Sequence, residues 1–581
     1  MKSLFPRILV LFACIFLVPE LSHAVEKWHN PEGTGARVVQ GQAFFSKITS
    51  EGGNFYHRLP ETAKDKVRKS VWKRSLCSSG LSLVFSTDAD KITVRYQVSR
   101  PHSMPNMSAT GVSGVDLYTH DRNGREIYLA GKYQFRDTIT FTYNPIYIEK
   151  KPKLHRYTLY LPLYNEVKWL EVGVDDGADF RFEPVLPARP IVAYGTSICQ
   201  GASASRPAMA WTNILQRRLS HEVVNLGFSG NAFMENEVID LLAQIDARVY
   251  ILDAMPNVCE LKEPAMIRDT VLNAVRRLRS MRPQTPILLT DHPGFPHHLS
   301  NPKMKEKQKH VLQMQKEAYN ILKEEGVDGL HYLSYEEIAM PQDALVEGIH
   351  MSDYGMKAYA DAYEKKLREI LCEPVGEVST MIPVTQQRDP YNWMDRHHDV
   401  LIKSAGKHYS RVLMGDSIMH FWCDTGDGSA INGQSSWDRF EGTSLNMGCG
   451  YDRIENVLWR IYHGQLDNIT ADRIYITIGP NNLRTSSDRE IADGIALLLE
   501  AIKSRRPEAE VFLMGVFPRR DREARVKELN KLLSRTARQT GVSFADPGKV
   551  FLKGRKIDES LFVDGLHPNE AGYERIAPYY R

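Results

Sequence analysis

The chain has 581 residues, 25% of them charged, with 74 Lys and Arg against 71 Asp and Glu and a net charge of +3. That length suits a globular protein of about three domains. Its basic residues are scattered among acidic ones rather than gathered in a stripe, which argues against a nucleic-acid partner.

Met1-Lys2 with Arg7, the apolar run from Ile8 to Val18, and small residues at Ser22 and Ala24 read as a secretory signal peptide over residues 1–24. The expected mature chain starts near Val25 and is secreted or periplasmic. Leu11-Phe12-Ala13-Cys14 loosely resembles a lipobox, which would instead mean a lipoprotein anchor, but apolar sequence continues past Cys14. No later segment has the roughly twenty uninterrupted apolar residues a bilayer span needs, so no transmembrane segment is expected in the mature protein. Six cysteines remain, at 77, 199, 259, 372, 423 and 449, none in a Cys-x-x-Cys pair or grouped with histidines. They read as small buried hydrophobes, and no metal or other cofactor is expected.

From about residue 75 to 175, short β-branched or alternating segments such as Leu81 to Ser86, Lys91 to Val98, Thr138 to Tyr143 and Trp169 to Val174 are separated by turns such as Asp121-Arg122-Asn123-Gly124. They predict a β-sandwich, jelly-roll-like domain over residues 25–187, a platform packed against the next domain. At Pro190 the pattern changes. Apolar strands (Ile191 to Tyr194, Val249 to Asp253, Ile287 to Thr290) alternate with helical periods (Trp211 to Leu219, Ile267 to Arg279), which implies a parallel sheet covered by helices. A stretch with Pro, Thr and Gln reads as a linker over residues 373–392. The alternation then resumes with strands Val412 to Met414, Arg473 to Ile478 and Val511 to Met514. Two α/β units are therefore expected, residues 188–372 and 393–581.

Polar landmarks make these units a repeat. Gly195-Thr196-Ser197-Ile198 pairs with Gly415-Asp416-Ser417-Ile418, each directly after an apolar strand. Asn225-Leu226-Gly227 and Asn446-Met447-Gly448 come 28 and 29 residues after their serines, Asn257 and Asn481 at 60 and 64, and His350 and His567 at 153 and 150. A serine hydroxyl needs a base, a carboxylate to orient that base, and donors for the developing oxyanion. Each unit supplies all of these, with Glu347 and Asp564 three residues before the histidines. Asp328-Gly329-Leu330-His331 also fits the dyad pattern, but it runs into a strand-like segment. Asp291-His292 and His297-His298 read as a surface loop, with lining of the first pocket or metal binding as the alternative.

The four segments resemble the blocks of the SGNH (GDSL-like) hydrolase superfamily, over about Pro190 to Leu371 and again Arg411 to Tyr580. The second unit resembles brain-type platelet-activating-factor acetylhydrolase catalytic subunits. The first, with its β-rich segment, resembles bacterial SGNH acetylesterases that act on decorated polysaccharides. The resemblance implies two flavodoxin-like three-layer α/β/α domains, with nucleophiles at Ser197 and Ser417, histidine bases at His350 and His567, and their carboxylates at Glu347 and Asp564. Oxyanion donors fall on Gly230 and Asn257 in the first unit and on Tyr451 and Asn481 in the second. Glutamate replaces the family aspartate at 347, and tyrosine replaces the family glycine at 451, where it could narrow the pocket or misaim the donor. The expected function is serine-dependent hydrolysis of carboxylic esters, with O-acetyl groups on a glycan as the substrate. The alternatives are lipid or thioester acyl hydrolysis, and a catalytically silent second unit that binds or scaffolds.

Overall fold

The computed structural model describes residues 26–149, 153–186, 188–261, 263–389 and 391–581. The signal-peptide and lipobox readings fall on residues outside these.

Two antiparallel sheets form the N-terminal sandwich. One orders the strands Glu26–His29, Val167–Asp175, Ile92–Val98, Ile139–Tyr143 and Lys132–Gln134. The other orders Phe180–Phe182, Ser82–Thr87, His155–Tyr160, Asp116–His120 and Glu126–Leu129, with Val39–Gln40 paired on Ser82–Thr87. Alternate side chains point inward, as the two-residue strand period requires, so Val94, Tyr96, Phe141, Leu83, Phe85, Leu117 and Leu159 meet in one core. Phe85 is fully buried there, and truncating it to Ala is expected to cost about 3–5 kcal/mol.

The first α/β unit carries strands β1 (Ile191–Gly195), β2 (Val223–Gly227), β3 (Val249–Asp253), β4 (Ile287–Thr290) and β5 (Leu330–Leu333). They lie parallel in the order β2-β1-β3-β4-β5. The second unit repeats this with β6 (Lys407–Gly415), β7 (Ser444–Gly448), β8 (Ile469–Thr477), β9 (Glu510–Met514) and β10 (Ser543–Ala545), in the order β7-β6-β8-β9-β10. This is the flavodoxin-like order, which leaves a crevice at the carboxyl ends of the strands where the order reverses. The central strands are continuous apolar runs because both faces are covered. In β1, Val192 and Tyr194 pack into one helical layer, while Ile191 and Ala193 pack into the other.

The segment over residues 373–392 does not behave as a free tether. Glu373 is buried against His221, at 2.9 Å, and Arg248 and Arg505, at 3.7 and 3.6 Å. Thr380 Oγ1 donates to Glu490 O at 2.6 Å, and Gln386 Nε2 donates to Gly450 O at 3.2 Å. These bonds hold the segment against both units, a property that composition does not reveal.

The two units touch through the amino ends of their strands. Arg248, just before β3, and Arg505, just before β9, both reach Asp467, which precedes β8. His463 stacks near His221 and bonds to Leu219 O at 3.0 Å. Each carboxyl edge lies at the far end of its own strands from this contact.

Of the six cysteines after residue 25, all are free and five are buried. Among the described residues, no helix is long and apolar enough to cross a membrane.

Candidate active sites

Ser197 heads the short helix Ser197–Gln200 directly after β1, and Ser417 heads Ser417–His420 after β6. In both units a side chain one residue earlier caps the helix: Thr196 Oγ1 accepts from Ile198 N at 3.3 Å, and Asp416 Oδ1 accepts from Ile418 N at 2.9 Å. Such caps satisfy one N–H of the first helical turn and leave others free for an incoming group. The strand beside each serine helix ends in a glycine because a Cβ there would collide with the helix. At Gly227 it would lie 2.3 Å from Gln200 N, and at Gly448, 2.2 Å from His420 N.

The structure brings each serine to its histidine. His350 Nε2 lies 2.8 Å from Ser197 Oγ, and His567 Nε2 lies 2.8 Å from Ser417 Oγ. His567 Nδ1 is 2.7 Å from Asp564 Oδ2, and His350 Nδ1 is in hydrogen-bond contact with Glu347 Oε1. With Nδ1–H donating to the carboxylate, Nε2 is left as the acceptor for the serine hydroxyl, the arrangement general-base catalysis needs. Matching backbone bonds close the two dyad loops: Val346 N to His350 O and Val563 N to His567 O, both 2.8 Å. The extra methylene of Glu347 is absorbed within that frame, since its carboxylate still accepts from Ile349 N at 3.0 Å.

Partial burial works against ionisation of Glu347, but hydrogen bonds and charge from His350, with Ile349 N–H and the Asn106 amide, hold its carboxyl below its usual range. At Asp564 burial is likewise outweighed, here by the backbone and side chain of His567 and by Leu566 N–H.

The oxyanion candidates differ between units. Gly230 has φ +68° and Tyr451 φ +63°, so tyrosine adopts the left-handed backbone of the glycine it replaces. A Cβ on Gly230 would meet nothing within 4 Å. Tyr451 is 48% exposed, its ring under Arg388 with 5.8 Å from guanidinium to centroid. The tyrosine therefore keeps the glycine's backbone direction, at about 1–2 kcal/mol of strain. Asn257 Oδ1 accepts from Ala232 N at 3.0 Å, turning its amide nitrogen the other way, whereas Asn481 Nδ2 donates to Asp452 O at 2.9 Å. The second asparagine thus has one of its two N–H donors engaged.

Several neighbours escaped sequence reasoning. Asn106, from the sandwich, places Nδ2 3.4 Å from His350 Nδ1, and its carbonyl accepts from Ser203 Oγ at 3.0 Å. Tyr164 OH, also from the sandwich, donates to Ser197 O at 3.2 Å. The sandwich is therefore more than a packing platform. Arg58 is fully buried and donates to Asn225 O and Gly227 O, each at 3.0 Å. Arg396 does the same in the second unit, to Asn446 O at 2.7 Å and Gly448 O at 3.4 Å. Asp253, whose Cα pairs with that of Gly195, is buried and accepts from Tyr359 OH at 2.9 Å. Burial pushes its carboxyl up to about 8. Asp416 is pushed up to about 7 by the same cause. His331 lies within β5, away from the serine, and His297 Nε2 lies 3.6 Å from where a Cβ on Gly348 would stand, so the His297 loop borders the first dyad.

Residues 188–368 and 413–575 match two models of the GDSL-like lipase/acylhydrolase family, and residues 26–180 match the N-terminus of Esterase_SGNH_hydro-type proteins. A GDSL-like lipase structure from Bacteroides ovatus is 30% identical, covers 60% of this chain and 98% of its own, and superposes with a TM-score of 0.53. The chain belongs to the SGNH (GDSL-like) hydrolase family. Human platelet-activating factor acetylhydrolase IB subunit alpha2 is 27% identical over 193 residues, 32% of this chain and 80% of that protein. The alpha1 subunit of Bos taurus is 26% identical over 203 residues, 33% of this chain and 83% of that protein. As an SGNH hydrolase with two α/β units behind a β-sandwich, the protein is an ester-hydrolysing enzyme.

Proposed function

We propose that both units hydrolyse carboxylic esters through an acyl-serine intermediate, and that the esters are acetyl groups on a glycan outside the cytoplasm. The observation that carries the reading is the repeated contact of histidine Nε2 with serine Oγ at 2.8 Å, each histidine backed by a carboxylate. In the first step Oγ attacks the ester carbonyl while Nε2 takes its proton. The oxyanion is met by backbone N–H groups at Ser197 and Gly230 and by the Asn257 amide, or by Ser417, Tyr451 and Asn481 in the second unit. The imidazolium, steadied by Glu347 or Asp564, then protonates the departing sugar oxygen. Water, deprotonated by the same histidine, releases acetate and restores the serine.

Support for acetyl comes from relatives named acetylhydrolases, and support for an exported glycan-directed enzyme comes from the N-terminal Lys2, Arg7 and apolar run. Labelling with a serine-reactive phosphonate and mapping the modified peptides tests the nucleophiles, with adducts expected on Ser197 and Ser417 alone. Acetate release from acetylated polysaccharides tests the substrate. Preference for long acyl chains or lysophospholipid over acetylated glycan would favour the lipid reading instead.

A further inference from the structure

The two crevices differ in charge. In the second unit, the loop after β9 runs Phe517-Pro518-Arg519-Arg520. Arg520 N donates to Gly565 O at 3.0 Å, which fastens this loop against the Asp564–His567 dyad loop. Arg519 Nη1 approaches Pro480 O at 3.5 Å, next to the oxyanion candidate Asn481. The Arg519 guanidinium thus stands between the base and the oxyanion side of the crevice. Arg484 and Arg522 add positive charge around it, and with burial they hold it below its usual range, while Asp416 and Asp564 are its opposing charges. Nearby Arg520 and Arg525 are paired with Glu559 and Asp488. Among the described residues no carboxylate forms an ion pair with Arg484, Arg519 or Arg522. A half-buried guanidinium held beside two other cations, with no carboxylate pairing it, favours an incoming anion.

The corresponding loop of the first unit, Asp291-His292-Pro293-Gly294-Phe295, carries no lysine or arginine. His292 is buried and stacked on Phe295 at 4.0 Å, and burial, with the charge of Lys307, drives its ring down to about 3, so it stays neutral; Lys307 itself, over the Phe295 ring, is paired with Glu260 at 2.6 Å.

We propose that the Ser417 site selects esters on an anionic sugar ring, a uronate, whose carboxylate meets Arg519, while the Ser197 site takes neutral ones. This rests on Ser417 being a nucleophile. Hydrolysis proceeds by the same acyl-serine steps, and the sugar carboxylate leaves unchanged on the product.

The test uses the full chain carrying Ser197→Ala, so that one site reports. The substrates are an O-acetylated methyl glucuronide and its uncharged amide, with an O-acetylated sugar phosphate as a third arm. An acid-to-amide ratio of kcat/KM of about ten is expected, the size of one charge-assisted hydrogen bond, and it should be carried mainly by KM. In Arg519→Gln the ratio should fall to about one, and in Arg519→Lys it should stay between the two values. In the parent, about 0.5 M salt should shrink it. A parent ratio near one, or a ratio unchanged in Arg519→Gln, overturns the proposal. A rate on the sugar phosphate above that on the glucuronide overturns the uronate assignment. If Ser417 takes no phosphonate and the chain releases no acetate from activated esters, the underlying reading has failed. Labelling of Ser417 with equal rates on acid and amide sinks only the charge selection.

Discussion

The first and second α/β units hold the same serine–histidine–carboxylate relay, yet they support it from different places. In the first, the sandwich reaches in with Asn106 and Tyr164, and Arg58 clamps the end of β2 from a segment before the sandwich core. In the second, that support comes from nearer by. Arg396 clamps β7, and a fully buried Arg460–Asp452 pair at 2.7 Å, braced by Trp393 Nε1 at 2.7 Å, holds the backbone that receives Asn481. The relay is thus a property of one strand end and one short loop, while its surroundings are replaceable.

The largest test of that comparison is removal of the serines. Ser197→Ala and Ser417→Ala should each abolish only its own unit's turnover, and the double variant should lower kcat on an activated acetate on the order of 10⁴-fold or more. Full activity in Ser417→Ala together with none in Ser197→Ala would make the second unit silent and end the equivalence.

Next in size is a pH effect on stability, to which Asp253 of the first unit contributes beside Asp416 of the second. Asp253 keeps its proton in the fold up to about 8 but releases it near 3.8 when unfolded. The folded state therefore binds more protons between those values, and stability falls as pH rises through that window, by up to about 1.4 kcal/mol per unit, then levels off. Asp253→Asn should reduce this slope, most visibly above about pH 7 where the Asp416 share has ended, in thermal unfolding measured from about pH 4 to 9. An unchanged slope would remove Asp253 as its source.

Smaller again is Asn106→Ala, expected to lower kcat by about tenfold at the Ser197 site, the value of one hydrogen bond to a charged group. Measured in a Ser417→Ala background, the loss should grow toward low pH, where the Glu347 carboxylate most needs its donors. The reciprocal Ser197→Ala background should show no change. A loss shared by both sites would point to a general folding defect.

The smallest is Tyr451→Gly, which should stabilise the second unit by about 1 kcal/mol through relief of the left-handed backbone, read from its denaturant midpoint. Destabilisation instead would mean that the ring's contact with Arg388 outweighs the strain.

Much of this was legible in the sequence. The spacing of Ser197, Asn257 and His350 against Ser417, Asn481 and His567 marked both crevices, because parallel strands of fixed length return the chain to the same edge at fixed intervals. Alternation marked the sandwich strands. What stayed hidden were contacts between distant parts. Asn106 and His350 are 244 residues apart, and no periodicity links a sandwich loop to a hydrolase loop. The packed course of residues 373–389 was equally invisible, since Pro, Thr and Gln serve a free tether and a bound one alike. Arg519 left no mark because a lone arginine after a strand is ordinary; only its position between Pro480 and the dyad loop distinguishes it.

Because the units touch through the amino ends of their strands, each serine crevice lies at the end of its own sheet remote from that contact. If both crevices turn over substrate, neither has to share its approach with the other.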